Sequence, residues 1–137
     1  MDFEITDKIK KEDEEAIFNG LLEYNLDRIE DKNPKDLGIY LNDENGNKIA
    51  GLIGDTHGNW LSVKFLWVSD KLRGQGIGSR ILKQAEETAK LRGCKYCFLD
   101  TFSFQAPEFY KKYGYKEVFA LENYPVTGKR YYFTKEL

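Results

Sequence analysis

The stretch LWVSDKLRGQGIGSRILKQAEETAKLRG, residues 66–93, decides how the chain is read. It opens apolar and strand-like, passes three alternating glycines (Gly74, Gly76 and Gly78) and continues as an amphipathic helix. The helical stripe is Ile77, Ile81, Leu82, Ala85, Ala89 and Leu91, and Gly93 stands where a left-handed residue ends such a helix. Glycines at a strand-to-helix junction let the backbone come close to a ligand, and the first N–H groups of a helix have no intrahelical acceptor. Together with the helix dipole they suit a phosphate or pyrophosphate. Arg73 adds a cation at the mouth. A Walker A loop is excluded because no Lys follows the glycines. The dinucleotide fingerprint fails too, since Ser79 stands where its third glycine belongs.

The same reading extends outward. Upstream, Leu37–Leu41 and Lys48–Gly54 flank Asp43-Glu44-Asn45-Gly46, a hairpin turn signal. A second turn at His57-Gly58-Asn59 leads into the strand Trp60–Val68, so these three strands form an antiparallel meander. Further upstream, Ile17, Leu21, Leu22, Leu26 and Ile29 recur at helical spacing between Lys10 and Ile29, as one long helix or two short ones. Asn33-Pro34 closes that stretch, and Phe3–Ile5 has the composition of a short strand. Downstream come a strand over Lys95–Thr101, a short helix over Ala106–Tyr113 ended by Gly114, and strands over Tyr115–Leu121 and Arg130–Thr134. The order predicts an α/β (α+β) domain with a mixed sheet. No repeat or linker divides it, so residues 1–137 are expected to form a single domain.

The chain has 137 residues, 41% apolar and 15% aromatic, enough to build a core. Its 21 basic and 23 acidic side chains are interspersed, so no strong field for nucleic acid or anionic lipid arises. No apolar run approaches the ~18 residues of a membrane span. The start, MDFEITDKIKKEDEE, lacks the apolar core of a signal peptide, so a cytoplasmic location is expected. Cys94 and Cys97 form a lone CxxC in a strand-like segment, with the single histidine, His57, far away in sequence. They are read as core thiols, and no metal site is expected.

Two motifs carry a family resemblance. The segment around Arg73, Gly76 and Gly78 resembles the acetyl-coenzyme A motif Arg/Gln-x-x-Gly-x-Gly/Ala of the GNAT N-acetyltransferases. QAPEFYKKYGYKEV, residues 105–118, resembles that family's second signature through Ala106, Tyr110, Gly114 and Tyr115. The closing segment Pro125–Phe133 is similar to that of small bacterial members. The resemblance implies a mostly antiparallel central sheet flanked by helices. It also implies that the sheet is splayed at the cofactor site, between the strands at Trp60–Val68 and Lys95–Thr101. The pantetheine arm of acetyl-CoA would pair with backbone at Leu66, Trp67 and Val68. Its pyrophosphate would sit on the N–H groups of Gly74, Gln75, Gly76, Ile77, Gly78 and Ser79, beside Arg73.

The implied chemistry is direct acetyl transfer to an amine, with no acyl-enzyme. The oxyanion donor would be a backbone N–H near Val68, and Tyr110 would serve the leaving thiolate. This sequence departs from the family in two places. The strand Trp60–Val68 holds no glutamate, leaving Asp55, Asp100, Glu23 or a water chain as alternatives for the base. Ser103 or Gln105 stands where many members have an asparagine ahead of the last helix, and is expected to contact the pantetheine arm. The acceptor would be a small-molecule or peptide amine, near Tyr24, Asn25, Trp60, Trp67, Tyr124, Tyr131 and Tyr132. A homodimer fits the family. The alternative to an enzyme is a non-catalytic coenzyme A-binding or regulatory module of the same fold.

Overall fold

The computed structural model describes residues 1–31 and 33–137, which fall into two compact units, Met1–Lys32 and Asn33–Leu137. The first unit contains one helix, α1 (Lys11–Asn25), rather than two. Glu12, Asp13 and Glu14 in its first turn complement the helix dipole. None of its residues is buried, including Ile17, Phe18 and Leu21. It ends short of Ile29, where Arg28 Nη1 donates to the Tyr24 carbonyl at 2.7 Å and the guanidinium lies 4.1 Å from the Tyr24 ring centre. Phe3–Ile5 is exposed and belongs to no strand, having no neighbouring strand to complete it.

The second unit is a six-stranded sheet with two helices. Its strands are β1 (Lys35–Asn42), β2 (Lys48–His57), β3 (Trp60–Val68), β4 (Tyr96–Phe102), β5 (Lys116–Glu122) and β6 (Lys129–Glu136). A 3-10 turn at Asp70–Leu72 precedes α2 (Ile77–Leu91), and α3 (Pro107–Lys112) follows β4. The spatial order is β1-β2-β3-β4-β6-β5. Every pairing is antiparallel except β3–β4. That pair is parallel because α2 carries the chain back between the two strands, as a parallel connection requires.

Strand alternation sorts the side chains onto two faces. Ala50, Leu52, Leu61, Cys97, Leu99 and Phe133 join Ile81, Leu82, Ala85 and Ala89 of α2 and Tyr110 of α3 in one core. Tyr96, Phe98, Asp100 and Phe102 alternate with the buried residues of β4 and point to the other face. There the rings of Phe98, Tyr132 and Phe119 stack across three strands, at 5.9 and 4.4 Å between centres. A half-buried cluster clamps α2 to the far strands. Lys135 Nζ donates to Glu86 at 2.9 and 3.1 Å, and the Tyr115 hydroxyl donates to Glu86 at 2.7 Å, with Cys97 Sγ 3.3 Å from that hydroxyl.

Candidate active site

The sheet opens where sequence reasoning expected it to. β3 and β4 pair over only four positions, Trp60 to Val63 against Tyr96 to Leu99. Beyond them β3 runs on to Val68 and β4 on to Phe102, with no bond between the two. The cause is local. Ile53 faces Phe65 and Gly54 faces Val63, so Lys64 is an extra residue bulging out of β3. Gly54 is required opposite the bulge, since a Cβ there would collide with the Ser62 carbonyl. The result is a fork whose one wall is Lys64–Val68 with its backbone unpaired on that side.

The glycine loop stands at the mouth of this fork, directly after β3. Gly74 (φ 81°) and Gly76 (φ 75°) take left-handed conformations, which lets the chain turn tightly into α2 with Gly76 as its N-cap. Among the described residues, none of the backbone N–H groups from Gly74 to Ser79 has an acceptor within the chain. Ser79 Oγ donates to the Gly76 carbonyl at 3.0 Å, and Arg80 N–H makes the first helical bond to the same oxygen at 3.2 Å. Arg73 lies over the loop entrance, with Nε 3.4 Å from the Val68 carbonyl and 3.3 Å from Asp70. Gly78 brings three elements together, because a Cβ there would lie 3.6 Å from both Val68 and Phe109. A cluster of unpaired amides, with open space at Gly74 and nothing nearer than Ser79 Oγ at 3.9 Å from a Cβ at Gly76, fits a pyrophosphate, and an unpaired strand edge fits an amide-bearing arm.

Tyr110 approaches from the helix-covered face. Its ring packs against Phe133, Phe109 and Tyr115, and the residue is only 8% exposed. Among the described residues its hydroxyl makes no hydrogen bond, yet none of their fully buried polar atoms lacks a partner. The hydroxyl therefore sits at an accessible edge. Burial, then the negative charges of Cys97 and Asp100 when ionised, push its pKa up to about 12. It is a neutral O–H donor at ordinary pH.

Among the described residues, two ion pairs lie on the sheet face opposite α2 and α3. Lys64, the bulged residue, reaches Asp55 at 3.3 Å. Arg130 Nε reaches Asp100 Oδ2 at 2.7 Å, and its Nη1 donates to the Tyr124 hydroxyl at 3.3 Å. The Arg130 guanidinium also lies 5.3–5.7 Å from the ring centres of Phe102, Tyr124 and Tyr132. Asp100, which holds its charge close, pushes the Arg130 pKa further up. Asp100 is the first residue past the last β3–β4 pair, so this cluster borders the base of the fork.

The structure thus brings together Leu66, Trp67 and Val68 on one wall, the 73–79 loop at the mouth and Tyr110 behind. Ser103 and Gln105 lie in the turn after β4, both engaged locally. Ser103 Oγ accepts from Lys129 N–H at 3.3 Å, and Gln105 Oε1 accepts from Phe102 N–H at 2.8 Å and from the Thr101 hydroxyl at 3.2 Å. Glu23 lies in α1 of the first unit and is exposed. Sequence reasoning missed Arg130 and Phe102. Their alternation with buried neighbours was visible, but their proximity depends on β6 inserting between β4 and β5, which no local pattern signals. Among the described residues no cluster of three or more His, Cys, Asp or Glu could hold a metal ion. Cys94 and Cys97 are buried thiols.

A forked mixed sheet with an amide-lined loop at its mouth and a buried tyrosine behind it is the framework that the resemblance to acetyl-CoA-dependent transferases implies. The family model "Acetyltransferase (GNAT) domain" matches residues 35–117. The chain is 36% identical over 121 residues to an acetyltransferase of Agrobacterium fabrum, covering 88% of each chain. It is 38% identical over 95 residues to the blasticidin-S acetyltransferase of Streptomyces morookaense, covering 69% of this chain and 70% of that one. The crystal structure of an acetyltransferase from Bacillus cereus superposes with a TM-score of 0.83 at 33% identity, covering 98% of both chains. The chain belongs to the GNAT acetyltransferase family. It is an N-acetyltransferase, an acyltransferase that uses acetyl-CoA as its donor.

Proposed function

We propose that the fork and glycine loop hold acetyl-CoA, and that Tyr110 assists direct transfer of its acetyl group to a small-molecule or peptide amine. The run of unpaired N–H groups from Gly74 to Ser79 carries this reading. Gly74, Gln75, Gly76, Ile77, Gly78 and Ser79 would hold the pyrophosphate through these amides, with Arg73 adding its charge. Leu66, Trp67 and Val68 would pair with the pantetheine arm as a neighbouring strand would. Ser103 keeps its hydroxyl hydrogen and Gln105 its amide N–H groups to donate to that arm. Coverage of 98% of both chains in the Bacillus cereus comparison supports assigning residues 1–137 to one acetyltransferase domain.

Acetyl-CoA supplies an acyl carbon already activated by its thioester. What the chain adds is position and polarity. An N–H of the unpaired β3 edge near Val68 would stabilise the developing oxyanion without reorganising. Tyr110 would hydrogen-bond the departing sulfur. A thiol titrates near 8.5, so full proton transfer from a tyrosine at about 12 is uphill by roughly 5 kcal/mol. Tyr110 therefore acts by donating a hydrogen bond rather than by giving up its proton. We place the enzyme in the cytoplasm, where such a donor is made; among the described residues no helix is long and apolar enough to cross a membrane. Homodimerisation is carried over from the family resemblance.

The test is calorimetric titration with acetyl-CoA alongside single-turnover kinetics. Gly76→Asp puts a side chain and a negative charge at a left-handed position facing the loop. It is expected to cut affinity about 100-fold or more, the cost of a lost set of charge-assisted bonds. Tyr110→Phe is expected to lower turnover roughly 10- to 100-fold with donor affinity held. Unaltered affinity in folded Gly76→Asp would remove the loop from the donor site, and unaltered turnover in Tyr110→Phe would remove the tyrosine from the chemistry.

A further inference from the structure

We propose that Asp100 and Arg130 together read the acceptor, and that the acceptor is a zwitterion with a carboxylate a few bonds from the amine to be acetylated. This inference rests on the donor-site reading above and extends it to the substrate class.

The argument starts from the valences the pair leaves open. Among the described residues, Arg130 gives Nε to Asp100 and one Nη1 hydrogen to Tyr124, and both Nη2 hydrogens have no acceptor. Among the same residues Asp100 accepts at Oδ2 only, so Oδ1 has no donor. The pair is accessible, with 29% of the Arg130 side chain and 24% of the Asp100 side chain exposed. It therefore presents a two-hydrogen cationic donor beside an anionic acceptor oxygen, at the base of the fork.

Charge then selects the ligand. A lone carboxylate would suit a simple ammonium, but the guanidinium 2.7 Å away repels one. A lone guanidinium would suit a simple carboxylate, which Asp100 repels. A ligand with both charges satisfies both groups at once. The geometry is also held in advance. Three aromatic rings surround the guanidinium, and the Tyr124 hydroxyl fixes Nη1, so little side-chain freedom is lost on binding.

Location makes the ammonium half productive. Leu99 and Thr101 turn into the core, whereas Asp100 turns to the opposite face just past the last β3–β4 pair. An amine held on Oδ1 would meet the fork from the side opposite Tyr110. Lys64 and Asp55 form the other ion pair of this face, and they too sum to zero charge. These two ion pairs therefore do not bias the site toward a polycation.

The experiment gives the wild-type protein saturating acetyl-CoA and three sets of amines. They are the common free α-amino acids with β-alanine, the corresponding carboxamides, and the cations butylamine, putrescine and spermidine. Thiol release and mass spectrometry of N-acetyl products are read, with acetyl-CoA affinity measured separately by calorimetry. At least one amino acid is expected to exceed its own carboxamide in kcat/KM by about tenfold or more, as for loss of a charged hydrogen bond. Arg130→Gln is expected to collapse that ratio toward one while acetyl-CoA affinity stays within about twofold. Acetylation of carboxamides or polyamines in preference to amino acids overturns the inference and leaves the donor site standing. The absence of any acetylated amino acid overturns it as well. Failure to bind acetyl-CoA removes the donor-site reading along with it. The wild-type comparison of acid with carboxamide needs no variant, so a poorly folding Arg130→Gln does not shield the proposal.

Discussion

The two faces of this sheet are built on opposite terms. On the helix-covered face Leu52, Leu61, Leu99 and Phe133 are at most 1% exposed. On the other face Phe65, Trp67 and Phe119 keep 69%, 51% and 51% of their surface open. The difference separates two tasks. The packed face fixes backbone: it seats α2, whose first turn presents the loop amides, and it backs Tyr110. The open face fixes side chains: Arg130, Asp100, Tyr124 and Phe102 come from β4, β6 and the turn between β5 and β6. On the reading proposed above, donor recognition is a property of main chain, and acceptor recognition one of side chains.

The largest expected effect tests the packed face. Phe133 has no exposed surface, and its ring lies 6.2 Å from that of Tyr110 and 6.3 Å from that of Tyr131. Phe133→Ala should cost about 3–5 kcal/mol in denaturant unfolding, the usual price of a large core cavity. Turnover should fall too, since Tyr110 loses its backing. A cost under about 1 kcal/mol would mean that the site collapses around the gap, and the contrast between the faces would lose its basis.

The same contrast explains what was legible beforehand. The glycine loop is local, so Gly74, Gly76 and Gly78 announced the tight turn and the helix after it. The meander was legible from Asn45-Gly46 and from alternation in β2 and β3. The fork was expected from family resemblance, while its physical cause, the Lys64 bulge opposite Gly54, has no sequence signature of its own. The Arg130 cluster was invisible because it needs β6 beside β4, a pairing between residues about 30 apart set by the tertiary fold. From sequence Asp100 reads as one alternative for the base, while its pairing with a guanidinium is set by the tertiary fold.

A smaller effect sharpens the comparison through pH. Cys97 has no exposed surface, and burial pushes its thiol from 9.0 up to about 12. A pKa raised on folding means that the native state holds its proton more tightly than the unfolded chain. This stability is complete below pH 9 and drains away as pH rises toward 12. By pH 11 the loss from this one thiol should reach about 3 kcal/mol. Tyr110, raised from 10.0 to about 12 by the same burial, adds to the decline over the upper part of that window. Urea unfolding at pH 8, 10 and 11 would show it, and Cys97→Ala should remove about half of the loss at pH 11, the rest coming from Tyr110 and from Tyr115, whose pKa burial also raises. A slope undiminished in Cys97→Ala would assign the alkaline loss to other groups.

The smallest expected effect lies on the open face and is the most informative about it. Phe65 pairs with Ile53 across β2 and β3, next to the bulge, and is 69% exposed. Little apolar surface is removed from water there, so Phe65→Ser should change unfolding free energy by no more than about 0.5 kcal/mol. Serine does lower strand propensity, but a solvent-facing site beside a bulge has few neighbours to feel it. A loss above about 2 kcal/mol would require the ring to be buried in solution, because only removal from water yields so much for one aromatic side chain. The open face would then be a covered one, and its aromatic residues would belong to packing rather than to the acceptor. A near-zero loss, with acetyl-CoA affinity retained and KM for the acceptor raised, would keep the two faces distinct in solution and put Phe65 on the acceptor's path.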